Sequence, residues 1–163
     1  MKRNLLAILV LSIAVLMPSC GFEDGAGYVN DLLVEKTDKV EALMLEFYNY
    51  IDEDEYDTAS AYLDSVTNYV KESEVVIAKL KNKSAEEFQQ FTLEYLTFYG
   101  AVVDDYKKVI EWFQSEDDEL FEKAGDLIID FEKKADEKLA EFIALQKEFA
   151  ENNNLELDYD YNK

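Results

Sequence analysis

The chain has 163 residues, with 37 acids against 16 bases for a net charge of −21, no histidine and a single cysteine. Haem, copper, zinc of the usual nitrogen–sulfur type, and Ser-His or Cys-His nucleophiles therefore lack an essential ligand or base. A surface this acidic repels phosphate backbones and anionic headgroups, which argues against nucleic-acid binding and against attachment to lipid through the folded surface.

The first element in chain order is a leader. Lys2 and Arg3 precede an apolar stretch from Leu5 to Met17, whose 13 residues are too few for a bilayer core that takes about 20. The run Met17-Pro18-Ser19-Cys20 resembles the lipobox of bacterial lipoproteins: Ser19 fits the small position, Met17 stands where leucine is usual, and Pro18 is a looser match. The resemblance implies that residues 1–19 are a removed signal peptide and that Cys20 carries diacylglycerol. A plain secreted chain would instead leave an unpaired cysteine at its mature end, which is unusual in an oxidising compartment. Two or three acyl chains on one residue make a stable anchor where one does not. Membrane partnership is thus expected through the lipid on Cys20.

Loss of Lys2 and Arg3 leaves 14 bases against 37 acids, a net charge of −23. Residues 20–27, with three glycines and two acids, read as a flexible tether. The acidic pair Glu23-Asp24 resembles the export signal of Bacteroidetes lipoproteins, which implies the outer membrane, with the cell surface favoured over the periplasmic face.

Four helical segments follow over residues 28–152. In the first, about Tyr28 to Ile51, Val29, Leu33, Val40, Met44, Phe47 and Ile51 recur at threes and fours, with Glu35, Lys39, Glu41 and Glu46 between them. The second, about Glu55 to Lys81, carries Ala59, Leu63, Val66, Val70, Ile77 and Leu80 on one stripe, with Ser73 as its polar step. The third, about Ala85 to Phe113, carries Phe88, Phe91, Tyr95, Phe98, Val102, Tyr106, Val109 and Phe113. Ser84-Ala85-Glu86-Glu87 reads as its capping box. The fourth, Glu116 to about Glu151, puts Phe121, Ala124, Ile128, Phe131, Ala135, Leu139, Phe142, Leu145 and Phe149 on one seam. Ser115 caps it, and Glu116, Asp117, Asp118 and Glu119 occupy the positive end of the helix dipole. Acids four residues ahead of bases, at Glu35/Lys39, Asp104/Lys108, Glu119/Lys123 and Asp130/Lys134, support the exposed faces.

The connections Asp52-Glu53-Asp54, Asn82-Lys83-Ser84 and Gln114-Ser115 are short, which makes neighbouring helices antiparallel. The predicted fold is all-α, an up-down-up-down four-helix bundle with a long C-terminal helix and an acidic tail over residues 153–163. Gly100 and Gly125 inside helices each cost about 1 kcal/mol relative to alanine and are read as close packing points, with a bend that opens a groove as the alternative.

Phe91, Tyr95, Phe98, Tyr99 and Tyr106 crowd the third helix, as filled core or as the lining of an apolar pocket with hydroxyl handles. The acids fall between the apolar stripes, on faces expected to be solvated, so no carboxylate is placed for acid–base work. No catalytic residue, metal ligand or cofactor is expected. A di-iron bundle needs Glu-x-x-His on two helices, which this chain lacks. Asp52-Glu53-Asp54-Glu55-Tyr56-Asp57 opens like a calcium loop but puts Tyr56 at the fifth position and Asp57 where glycine is required. Asp158-Tyr159-Asp160-Tyr161-Asn162 has the same opening, with Lys163 following at once.

Tyr28-x-x-x-Leu32, Tyr56-Asp57-Thr58-Ala59, Phe98-Tyr99 with Asp105-Tyr106-Lys107-Lys108-Val109-Ile110, and Leu145-Gln146-Lys147-Glu148-Phe149-Ala150, taken in order, resemble a family of small helical surface lipoproteins of Leptospira and Bacteroidetes. The likeness runs from about Tyr28 to Leu157. It implies a surface or outer-membrane lipoprotein and supplies no site residue beyond Cys20. The expected function is a non-enzymatic binding or interaction module with a protein or cationic partner. The alternative is a carrier of a small apolar ligand or cation within the bundle.

Overall fold

The computed structural model describes residues 25–115 and 117–157. The leader, Cys20, Glu116 and the Asp158–Asn162 stretch lie outside them. Four helices carry the fold: α1 Ala26–Asp52, α2 Tyr56–Ile77, α3 Glu86–Phe113 and α4 Asp118–Asn152, with a 3-10 turn at Lys83–Ala85 before α3. Among the described residues there is no strand, and no helix is long and apolar enough to cross a membrane. The bundle is all-α. At 35 residues and about 1.5 Å per residue, α4 is about 50 Å long.

The helix ends are set by local chemistry. Past α1, Asp54 takes a left-handed φ of 60°, and the Glu55 amide donates to Tyr50 O at 2.8 Å while the Asp54 amide donates to Ile51 O at 3.2 Å. This is the Schellman closure, with aspartate standing where glycine is commonest. α4 closes the same way. Asn154 has φ 53°, and the Leu155 amide reaches Ala150 O at 2.9 Å.

The Leu155 side chain packs on the core, and Asn153 Oδ1 accepts from Ser84 Oγ at 3.0 Å. Residues 153–155 are therefore docked rather than part of a free tail. At the other end α1 starts at Ala26, so Ala26 and Gly27, expected in the tether, are helical.

Two caps differ from expectation. Asn82, not Ser84, caps the turn ahead of α3: its Oδ1 accepts from the Ser84 amide at 2.9 Å and from Ser84 Oγ at 2.7 Å. The 3-10 turn shifts the start of α3 to Glu86, and Ala85 at its N-cap makes no side-chain cap bond. For α4 the cap is Asp117, whose Oδ1 accepts from the amides of Glu119 at 2.9 Å and Leu120 at 3.3 Å. Ser115 Oγ instead donates to Trp112 O at 2.8 Å and closes α3.

The expected ion pairs Glu119–Lys123 and Asp130–Lys134 form at 2.8 and 2.6 Å. Lys108 turns to Asp105 rather than Asp104, and Glu35 pairs with its neighbour Lys36. A shorter reach to an adjacent acid wins over the four-residue spacing.

The densest contacts join α1 to α2 and α2 to α3, then α3 to α4, whereas α1 and α4 touch lightly. Gly100 explains how closely α2 and α3 approach. A Cβ there would sit 3.3 Å from Val70 Cγ1, so this glycine is a packing point. Gly125 is not: a Cβ there would meet open space.

The expected stripes are mostly buried, except that Phe121 is exposed and Leu80, Phe98, Val102, Phe113, Ala135, Leu139 and Leu145 are half-buried, and further seams are buried beside them. α3 packs on three helices, so Thr92, Leu96, Tyr99, Val103 and Ile110 join Phe88, Phe91, Tyr95, Tyr106 and Val109 in the interior. On α2, Ser73 is buried with the stripe. It and Lys36 each lie near the Tyr69 hydroxyl, and neither the Ser73 nor the Tyr69 hydroxyl makes a hydrogen bond of good geometry.

Candidate functional site

α1 carries a second seam that the apolar stripe conceals. Asn30, Val34, Thr37, Glu41, Met44, Tyr48 and Ile51 recur at alternating fours and threes, the spacing of a coiled-coil seam. All are buried except Tyr48, which is half-buried. Four of the seven are polar. This seam faces α3 and α4, whereas α2 meets α1 from the other side, through Lys36 over the Tyr69 ring and Tyr50 stacked on Tyr62.

Glu41 is the residue that sequence reasoning misplaced. Its spacing places it on a solvated face between Val40 and Met44, yet it is 8% exposed. A narrow stripe predicts exposure one residue off the apolar line; a helix packed on two sides buries that residue. The signal available in the sequence was the heptad register through Asn30, Thr37, Glu41 and Tyr48.

The Tyr95 hydroxyl on α3 donates to Glu41 Oε1, and the Tyr99 hydroxyl lies 3.4 Å from that of Tyr95. Desolvation is the main reason the Glu41 carboxyl is pushed up to about 7; the Tyr95 bond works against the shift, and the charges of Asp38 and Asp136 add to it. Burial pushes Asp38, one turn earlier, up to about 6. Two turns further along, Tyr48 and Tyr106 share a hydrogen bond. Burial drives the hydroxyls of Tyr48, Tyr95, Tyr99 and Tyr106 far above the ordinary phenol range, so each stays protonated; within the Tyr48–Tyr106 pair one hydroxyl donates and the other accepts.

The five aromatic residues singled out in α3 are brought together, ring against ring, with α1 and α4. Phe91 meets Tyr95 at 6.5 Å between centroids and Tyr95 meets Tyr99 at 5.2 Å. Phe131 of α4 is the hub. It stacks on Phe98 at 4.7 Å with the planes 4° apart, and meets Tyr99 and Tyr106 edge-on, both at 5.4 Å. Tyr106 reaches Phe47 of α1 at 5.0 Å. Lys138 of α4 closes the outside, its Nζ 5.6 and 5.5 Å over the rings of Phe91 and Phe98. At the far end of the α1/α4 contact, Gln146 Nε2 donates to Asn30 Oδ1 at 3.2 Å between two buried side chains.

The acidic stretch after α1 forms a different feature. Asp54, Glu55, Tyr56, Asp57, Thr58 and Gln114 line an open depression of about 320 Å3. Its acids already serve neighbours: Asp54 accepts from the Tyr56 hydroxyl at 2.8 Å and Glu55 from Thr58 at 3.3 Å. Among the described residues, no group of three carboxylates, histidines or cysteines is arranged to hold a metal ion.

Together these contacts define an all-α bundle with a tyrosine-rich interior around one buried carboxyl. No family model, no curated protein and no solved structure matches the chain.

Proposed function

We propose that this chain is a lipid-anchored, non-enzymatic interaction module of the bacterial outer membrane, held by Cys20 and presenting an acidic outer surface to cationic partners. One observation carries this reading: the hydroxyls of Tyr48, Tyr95, Tyr99 and Tyr106 are committed to one another and to Glu41, with the surrounding rings in mutual contact. The exterior remains as the recognition surface, and its excess of acids favours polyamines or basic peptides. The membrane assignment rests on the lipobox and on the family resemblance. A second reading, a carrier of a small apolar ligand or cation, is favoured by the buried carboxyl of Glu41 beside the Tyr95 hydroxyl.

Two measurements on the full chain in detergent separate the readings. Titration with a lysine homopolymer should give heat that falls steeply with salt, while the neutral apolar dye Nile red should show no saturable uptake. Saturable dye uptake that is lost on Tyr99→Trp would overturn the interaction reading in favour of the carrier. In growing cells, labelled palmitate should enter the protein and be absent from Cys20→Ser. Labelling that survives that change would remove the anchor from the proposal.

A further inference from the structure

Among the described residues, the electrostatic neighbours of Glu41 are Tyr95 on α3, Asp38 on α1 and Asp136 on α4. Two of the three are acids, and Tyr99 lies behind Tyr95. The cation of α4 that reaches this part of α3, Lys138, sits over the rings of Phe91 and Phe98. α2 meets α1 from the other side.

The seam therefore holds a carboxyl that is comfortable when protonated. As a carboxylate it would be desolvated and would face like charges. α4 is the element free to respond. It touches α1 lightly and, between its cap and the docked residues 153–155, has seven buried residues in 35 positions against ten in 28 for α3.

We propose that Glu41 is a proton-controlled latch for α4: with its proton the seam between α1, α3 and α4 stays closed, and without it α4 swings away, taking Phe131 with it, and bares the aromatic face formed by Phe98, Tyr99 and Tyr106.

The closed state holds the proton up to a pKa of about 7, whereas a solvated glutamate releases it near its ordinary value of 4.5. The open state therefore gains on the closed one by up to about tenfold per pH unit between those values, and the gain levels off above the higher one. Asp38, pushed up to about 6, acts in the same direction in the lower part of the window.

The test is amide hydrogen exchange, read by mass spectrometry on the full chain in detergent, with rates corrected for the intrinsic pH dependence of exchange. Protection of α4 peptides should fall at least about tenfold from about pH 5.5 to about pH 7.5, while α2 peptides keep theirs. Glu41→Gln keeps an acceptor for Tyr95 and should cut the α4 change to the smaller remainder that Asp38 supplies in the lower part of the window. Asp136→Asn leaves the carboxyl but weakens the repulsion, and should reduce the change. Constant α4 protection, an undiminished pH dependence in Glu41→Gln, an unchanged amplitude in Asp136→Asn, or α2 exchanging in step with α4 would each overturn the latch.

Discussion

Tyr95 of α3 donates its hydroxyl hydrogen to Glu41 of α1 in the interior of the bundle, and this bond joins a buried carboxyl to the ring-rich face of α3. It satisfies one oxygen of the acid without neutralising it. The charge state of Glu41 is therefore coupled to the stability of the fold.

The sign follows from the direction of the shift. Glu41 holds its proton more tightly when folded, up to about 7 against 4.5, so its contribution is fully present below about pH 4.5 and is lost as pH rises to about 7. The loss at pH 8 is about 3 kcal/mol. Glu41→Gln should raise the urea-derived unfolding free energy by up to that amount at pH 8 and leave it nearly unchanged at pH 4. An equal effect at both pH values would show that ionisation is not the cause.

Phe131 holds three rings of α3 at once. Phe131→Ala should cost about 3 to 5 kcal/mol, and Phe131→Leu less. Phe121 is 55% exposed, so Phe121→Ala should stay within about 1 kcal/mol. Urea unfolding of the three variants checks the ranking, which fails if the two alanine changes cost the same.

The two helical glycines should respond in opposite ways. Gly125→Ala places its methyl in open space and should stabilise by about 1 kcal/mol through helix propensity. Gly100→Ala drives its Cβ to 3.3 Å from Val70 Cγ1, and the overpacking should cancel or reverse that gain. Thermal melting compares them directly, and Val70→Ala should restore the benefit at position 100.

Asp117 supplies the cap bonds of α4, so Asp117→Ala should cost about 1 kcal/mol and speed exchange of the Glu119 and Leu120 amides. Ser115→Ala leaves both bonds intact and should leave those two amides protected. Equal exchange in the two variants would reject the assignment of the cap.

The helices, their order and their antiparallel arrangement were legible because each carries apolar residues at threes and fours and each connection is a few residues long. Val29, Leu33, Phe47, Val66, Tyr95, Tyr106 and Phe142 all lie in the interior as their spacing requires. Helix ends were less legible. The difference between Ser84 and Asn82, or Ser115 and Asp117, as caps lies in a two-residue shift that residue type does not set.

Glu41 and Gln146 were hidden for another reason. Periodicity marks one face of a helix, but a helix between two partners buries a second face whose composition can be polar. Asn30, Thr37 and Glu41 sit on such a face; Thr37 turns back to the Leu33 carbonyl of its own helix, whereas Asn30 and Glu41 take partners from distant parts of the chain.

From its own residues the chain therefore determined the charge, the lack of histidine, four amphipathic helices and the single cysteine that marks an expected lipid site, all properties of composition and local spacing. Tertiary structure decided which acid became an interior one. Whether a glutamate meets water or a tyrosine depends on where α3 and α4 lie across α1, and that is set by the packing of Phe47, Phe98, Tyr106 and Phe131 over separations no local pattern records.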